Sequence, residues 1–404
     1  MLCNKLPIFF AFNNDYCIPA AVAFYSLLNS SKGTIWDMYV LHNDISSENQ
    51  ELLNSIVERF NDNCKLSFIK TGNFLDQYWS SGNFNKSVSL SKFTVDTIVR
   101  CFPASLLPKN IDRIIYSDVD VIFVKNIAEI YDVDLEDCYL AGIRNAFSDA
   151  SDFELSHLSK ENYELLKDSY LCGGLLVFNL KKIRNDNLEE KMFSVIMDDT
   201  IEKRWNDQDI LNISCKGKVN FLKLNYISYP YLYENLVDRD NPLMSRLYTR
   251  DELYDSLINP YIIHFAAKKP WNSHPNYSNL WWTIFDYLKL PQSSIFKVNR
   301  FEPKIKRTPL LIKNKQHIAI WGTGSFSKKY LAENPSVCVD FFIDNNIQKN
   351  NTEFCDKKVF HPSCIENFMD VFVVVVSSYH KEISKQLASY GMVENIDFMV
   401  AEID

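Results

Sequence analysis

Two aspartates in an otherwise apolar stretch are the first residues here that could do chemistry. RIIYSDVDVIFV, residues 113–124, reads as a buried strand, yet Asp118 and Asp120 interrupt it with one residue between them. Side chains two apart on an extended chain point to the same side. Such a pair offers hard oxygen ligands to a divalent cation, which can in turn hold a diphosphate. The competing reading is an exposed turn between two short strands. LCGGLLVFNLKKIR (171–184) sets two glycines before a strand, as a close backbone approach requires, although a tight turn would need them too. RWNDQDILN (204–212) crowds Asp207, Gln208 and Asp209 ahead of a helical run. Helix capping accounts for one of the three but not for the cluster. YIIHFAAKKPWN (261–272) ends a strand in His264 and follows it with Lys268, Lys269, Pro270 and Trp271. An imidazole beside two carboxylates, with a lysine for phosphate, makes a coherent cation–diphosphate site. A structural histidine and a solvated lysine pair are the plainer alternative.

The elements that must position these groups alternate in type. IFFAF (8–12) is a strand, AAVAFYSLLNS carries helical spacing, WDMYVLH is a strand, SSENQELLNSIVERF suits a capped amphipathic helix, and KLSFIK is again a strand. This rhythm predicts a mostly parallel sheet with helices on both faces. Ligands of such sheets bind beyond the carboxyl ends of the strands. That places the site just after IFFAF and just after RIIYS.

Length and composition bound the rest. The 404 residues allow two or three domains at roughly 150 residues each. Hydrophobic residues at 47% and charged residues at 23% exclude a disordered chain. The net charge of −8 argues against a nucleic-acid polymer as partner. None of the ten cysteines forms a C-x-x-C pair, so zinc-ribbon and thioredoxin chemistry find no support. Scattered thiols suit a reducing compartment. No run reaches transmembrane length, and the apolar N-terminal stretch is too short for a signal peptide. The expectation is a soluble cytoplasmic protein.

The ordered set AFNNDY, RCFPASLLPKNIDRIIYSDVD, LCGGLLVFNLKK, NDQDILN and HFAAKKPW resembles the retaining glycosyltransferases of family 8, in particular bacterial lipopolysaccharide galactosyl- and glucosyltransferases. The resemblance runs from about residue 6 to about residue 290. It implies a GT-A type α/β domain with a mixed, mostly parallel sheet that binds a nucleotide sugar. By position it makes Asp118, Asp120 and His264 the ligands of Mn²⁺ (or Mg²⁺). Asn13, Asp15, Tyr16, Val119 and Lys269 would hold UDP, with Tyr16 on the base and Lys269 on the phosphates. Arg100, Asn145, Cys172, Gly173, Asp207 and Gln208 would surround the donor sugar, the last two as the catalytic pair. The implied reaction moves a hexose from UDP-galactose or UDP-glucose to a saccharide or lipid-linked acceptor in surface polysaccharide assembly. Because an amide is a poor nucleophile, front-face attack is favoured over a covalent intermediate. Three departures fall near the sugar and the phosphates. Asn13 and Asp15 invert the family's polar pair, Cys172-Gly173-Gly174 replaces Asn-Ala-Gly, and Ala267 stands for a glycine in a loop one residue shorter.

Residues 297–316 hold seven basic residues against one glutamate and read as a linker between a catalytic domain (1–296) and a second domain (317–404). A patch touching anionic membrane lipid is the runner-up reading. From His317 the pattern restarts as strand, glycine turn and helix (HIAIWGTGSFSKKYL), with Asp344 twenty-two residues after Gly322. This is a small Rossmann-like α/β unit whose third glycine is Ser327. It gives rise to a rival reading, an NAD-linked sugar oxidoreductase. A nucleotide-sugar-binding scaffold with a decayed sugar pocket is another.

Overall fold

A computed structural model describes residues 5–60, 64–72, 74, 98–145, 155–230, 247–266, 268–273, 275–293, 295–296, 315–333, 337–368, 370–394 and 397–401. The basic segment falls outside the described residues except for Lys315 and Gln316, and so does Ala267. The chain divides into two compact units, Met1–Asn276 with Pro291–Lys297, and Tyr277–Leu290 with Val298–Asp404.

In the first unit, β1 (Leu6–Ala11) is followed by α1 (Cys17–Ser30), β2 (Trp36–His42), α2 (Ser47–Val57) and β3 (Lys65–Lys70). Ser46 accepts the backbone N–H of Asn49 at 3.3 Å and so caps α2. α1 is apolar on nearly all sides, and all but its last two residues are buried. The chain continues through β4 (Arg113–Ser117), β5 (Val121–Phe123), β6 (Leu140–Arg144), β7 (Leu171–Asn179), α3 (Asp207–Cys215), β8 (Val219–Phe221) and β9 (Ile262–His264). Seven strands form one sheet in the order β3-β2-β1-β4-β7-β6-β8. β3, β2, β1 and β4 run parallel, as the alternating pattern predicts. β7 enters antiparallel to both β4 and β6, which makes the sheet mixed. Its centre is sealed by Phe9, whose ring lies 4.9 Å from that of Tyr116 and 5.6 Å from that of Phe178.

Two sequence expectations change here. Residues 113–124 are not one strand: β4 ends at Ser117, and β5 leaves the sheet to pair with β9 in a separate antiparallel ribbon. The glycines of LCGG lie inside β7 rather than before it.

The second unit contains α4 (Ser278–Tyr287), β10 (His317–Trp321), α5 (Ser325–Glu333), β11 (Phe341–Ile343), β12 (Glu353–Phe354), β13 (Lys357–Phe360), β14 (Val371–Val375), α6 (His380–Ser389) and β15 (Phe398–Val400). Its parallel strands lie in the order β13-β11-β10-β14-β15, with β12 antiparallel at the edge. That is a doubly wound order, with its switch point beside β10. Alternate residues of β10 and β14 enter two apolar clusters, so both faces of this sheet are covered. Among the described residues no helix is long and apolar enough to cross a membrane.

Candidate functional site

The break between β4 and β5 creates the site. Asp118, Val119 and Asp120 span it, and Val121 is the register partner of His264 in the ribbon. The Phe265 N–H donates to the Asp120 carbonyl at 2.9 Å, and the His264 N–H donates to the Ser228 carbonyl at 2.8 Å. His264 Nε2 then lies 3.2 Å from Asp120 Oδ1 and 3.4 Å from Asp118 Oδ2. One ligand atom from each of the three lies within 4.8 Å of the others. Among the described residues neither ring nitrogen of the buried His264 completes a well-aligned hydrogen bond, Nε2 meeting the two carboxylates only as close contacts. A buried imidazole so placed, facing two carboxylates, fits a divalent cation that takes both oxygen and nitrogen ligands.

Lys269 closes one side. Its Nζ pairs with Asp120 Oδ2 and donates to the carbonyls of Phe265 (2.7 Å) and Ala266 (3.0 Å). Burial works to raise the Asp120 pKa, but Lys269 and then His264 outweigh it and hold the carboxyl well below its ordinary range. Burial likewise works to lower the Lys269 pKa, and Asp120 reverses this, so the ammonium stays charged.

Arg100 ties this end to a second carboxylate. Its Nη1 donates to Asp118 Oδ1 (2.7 Å) and to the Tyr116 hydroxyl oxygen (2.8 Å). On its other side Nε and Nη2 hold both oxygens of Asp207, at 2.9 and 3.1 Å. The Nη2 contact is a hydrogen bond and the Nε contact a close ion pair, so the guanidinium places positive charge against both oxygens. Burial pushes the Asp207 carboxyl up to about 6, against the pull of Arg100 and with help from Asp118. Next to it, Gln208 Oε1 accepts the Gly173 N–H at 2.6 Å. That bond orients the amide and leaves its NH₂ as the group Gln208 can offer elsewhere.

The remaining sequence candidates are placed as follows. Asn13 and Asp15 follow β1 at its carboxyl end, and Asn13 Oδ1 is buried with no partner among the described residues. The Tyr16 ring meets Trp271 edge-on at 6.0 Å. Asn145 immediately follows β6, where its N–H donates to the Tyr170 carbonyl at 2.7 Å. Cys172 is buried, which pushes its thiol up to about 11 and leaves it neutral. Around the cation ligands, residues that escaped the sequence reading include Tyr116, Ser228 and Tyr229. Tyr116 bridges Arg100 and Asp118, the Ser228 carbonyl fixes His264, and the Tyr229 ring lies 5.4 Å from that of His264. Tyr116 had a signal, because it stands two residues before Asp118 in the sequence.

In the second unit a Cβ at Gly322 (φ +130°) would sit 2.4 Å from the Val376 carbonyl oxygen, so the turn admits only glycine. Ser327, in place of a third glycine, donates its hydroxyl to the Gly322 carbonyl at 2.9 Å and braces the turn. Asp344 is engaged by Thr323 Oγ1, by Lys349 Nζ at 2.8 Å and by the Asn346 N–H at 2.9 Å. Those bonds occupy the carboxylate that a ribose would need, which weighs against the oxidoreductase reading.

The family model for glycosyl transferase family 8 matches residues 7–274, and one described as C2185-like, N-terminal, matches residues 314–396. The chain is 26% identical over 191 residues to a lipopolysaccharide 1,2-glucosyltransferase of Escherichia coli K12, covering 47% of this chain and 51% of that one. It also matches the galactosyltransferase LgtC, solved with donor and acceptor sugar analogues (TM-score 0.56, 20% identity, 71% of this chain and 98% of that one). The bifunctional glycosyltransferase WbbM gives a TM-score of 0.58 at 21% identity, over 69% of this chain and 49% of that one. The chain thus spans about half the length of WbbM and of the E. coli relative. The two solved likenesses show the fold, and the expected GT-A type architecture holds.

Proposed function

The chain belongs to glycosyl transferase family 8, and from that premise we propose that it is a metal-dependent, retaining hexosyltransferase. Its donor is a UDP-hexose, UDP-galactose or UDP-glucose, and its acceptor a saccharide or glycolipid of bacterial surface polysaccharide or lipopolysaccharide. Residues 1–296 carry the chemistry, and residues 317–404 form a Rossmann-like module that serves acceptor or assembly. The observation that carries the reading is His264, buried, with Nε2 set within 3.4 Å of carboxylate oxygens of both Asp118 and Asp120, beside a charged Lys269.

A divalent cation held by Asp118, Asp120 and His264 would neutralise charge on the departing diphosphate. Lys269 adds a fixed positive charge at the same end. Asn13, Asp15, Tyr16 and Val119 bind uridine, and Arg100, Asn145, Cys172 and Gly173 surround the hexose. Asp207, steadied by Arg100, accepts from sugar hydroxyls. Gln208, its oxygen already taken by Gly173, serves as a donor beside the anomeric carbon and not as a nucleophile. The acceptor hydroxyl therefore attacks on the face the diphosphate leaves: its bond to the anomeric carbon forms, the bond to phosphate oxygen breaks, and the proton passes to the leaving phosphate.

UDP-hexose hydrolysis with and without Mn²⁺ tests the reading, with the product anomer read by NMR. Metal-dependent release of UDP with an α-configured sugar product is expected. No turnover of either UDP-hexose, despite tight UDP binding, would leave a nucleotide-sugar-binding scaffold and sink the transferase. The Asp207 carboxyl also sets a pH dependence. Above about pH 6 it is ionised and pairs with Arg100; below that it is protonated and the pair weakens. We expect kcat/KM to fall as pH drops through about 6, and Asp207→Asn to remove that limb of the profile. An unchanged limb in the variant would assign it elsewhere.

A further inference from the structure

Behind the catalytic pair lies a buried polar cluster built on His157, Tyr170 and Asp209. The side chains of His157 and Asp209 are both fully buried, with His157 Nε2 at 2.9 and 3.0 Å from the two Asp209 oxygens. Asp209 Oδ1 also accepts the Tyr170 hydroxyl at 2.7 Å, and Oδ2 accepts the Trp205 N–H at 2.7 Å. A buried carboxylate is tolerated only when its oxygens are paired, and here they are.

What the cluster spans matters more than its stability. Between Trp205 and Asp207 stands Asn206, at φ 55° and ψ −120°, a conformation that side-chain-bearing residues rarely adopt. Its side chain does not cap α3. The Asp209 carboxylate instead reaches back across this turn to the Trp205 N–H. Strain of this kind persists only where surrounding contacts over-determine it. Tyr170, the other donor, immediately precedes β7, the strand of Cys172, Gly173 and Gly174, and its carbonyl accepts the Asn145 N–H. One carboxylate thus fastens the start of α3, the start of β7 and, through Tyr170, the end of β6. Those three segments deliver Asp207 and Gln208, Cys172 and Gly173, and Asn145.

We propose that the buried His157–Asp209 pair, with Tyr170, is a positioning clamp. It holds the strained Asn206 turn and so sets Asp207 and Gln208 against Arg100 and Gly173. The claim rests on the transferase reading for its kinetic consequence, but not for its structural one. His157 is the specific contribution of this clamp, since it faces both Asp209 oxygens from a different segment of the chain.

The test uses the full chain with His157→Gln, Asp209→Asn and Tyr170→Phe. Each should leave Mn²⁺-dependent UDP affinity unchanged, because Asp118, Asp120, His264 and Lys269 lie outside the cluster. Each should lower kcat for UDP-hexose hydrolysis, by about 10- to 100-fold for the first two and less for the third. Each should also speed hydrogen exchange in residues 203–208. Tyr170→Phe removes one hydroxyl and keeps the test open if Asp209→Asn fails to fold. A folded variant with unchanged kcat and unchanged exchange would overturn the clamp. A loss of UDP affinity in step with kcat would overturn it too, since that marks general loosening. Failure of the wild-type protein to turn over any UDP-hexose would sink the transferase reading alone; exchange at 203–208 would still decide the clamp.

Discussion

Asp120→Ala abolishes metal-dependent UDP binding as its expected result, the larger of the two effects at the cation end. The carboxylate does two jobs there. Oδ1 lies 3.2 Å from His264 Nε2 on the side a cation would take, and Oδ2 neutralises Lys269. Its removal leaves only Asp118 and His264 to hold a cation, and an ion with two protein ligands is readily lost to water. Loss of an outer-shell partner alone typically costs about 10- to 100-fold in metal affinity, so loss of a ligand costs at least that. Lys269→Met separates the two jobs. It removes a cation that competes for Asp120, so Mn²⁺ affinity should hold or rise while UDP affinity falls. Calorimetric titration of both variants with Mn²⁺, then with UDP, reads both signs. Unchanged UDP affinity in Asp120→Ala would remove these aspartates from the metal site.

The order of elements in both units was legible because strands and helices alternate with clean periodicity. The Asp-x-Asp pair, His264 and the Asp207–Gln208 cluster were legible as polar groups set against apolar runs. What could not be read was how they meet. Asp118 and Asp120 looked like neighbours on one strand, but they sit at a break between a sheet and a separate ribbon. Only that ribbon brings Val121, and with it the aspartates, beside His264. Pairings across so many residues leave no local trace. Arg100 was placed by resemblance alone; its link from Asp118 to Asp207 depends on three distant segments. His157 was missed for the same reason: a lone histidine in a polar stretch carries no period, and its role exists only once Asp209 is folded behind β7. The glycines of LCGG were recognised as a close approach but set before the strand, because a strand interior ordinarily disfavours glycine.

Gly174→Ala is the second large expected effect, and it follows from that close approach. A Cβ at residue 174 would lie 2.4 Å from His264 Cε1 and 2.5 Å from Nδ1. The imidazole, not the backbone, must yield, because β9 is pinned by the His264 N–H to Ser228 and by its pairing with Val121. Gly174 cannot retreat either, since its carbonyl accepts the Asp118 N–H at 3.0 Å. One residue therefore fixes one aspartate through its backbone and makes room for the histidine by lacking a side chain. A methyl group there forces the ring to turn, and a displacement of about 1 Å at Nε2 should cost about 10- to 100-fold in Mn²⁺ affinity. Excess Mn²⁺ should restore part of the rate. The residue has no positive φ, so alanine brings no backbone strain, and it narrows the unfolded ensemble. The melting temperature should consequently fall far less than the metal affinity. Gly173→Ala provides the contrast: the nearest neighbours of its Cβ would be Gln208 Cγ at 3.0 Å and Asp207 Oδ2 at 3.2 Å rather than His264. That variant should leave Mn²⁺ binding intact and slow transfer by shifting Gln208. Equal loss of metal affinity in both variants would mean that crowding anywhere in β7 disturbs the site, and that Gly174 holds no special place beside His264.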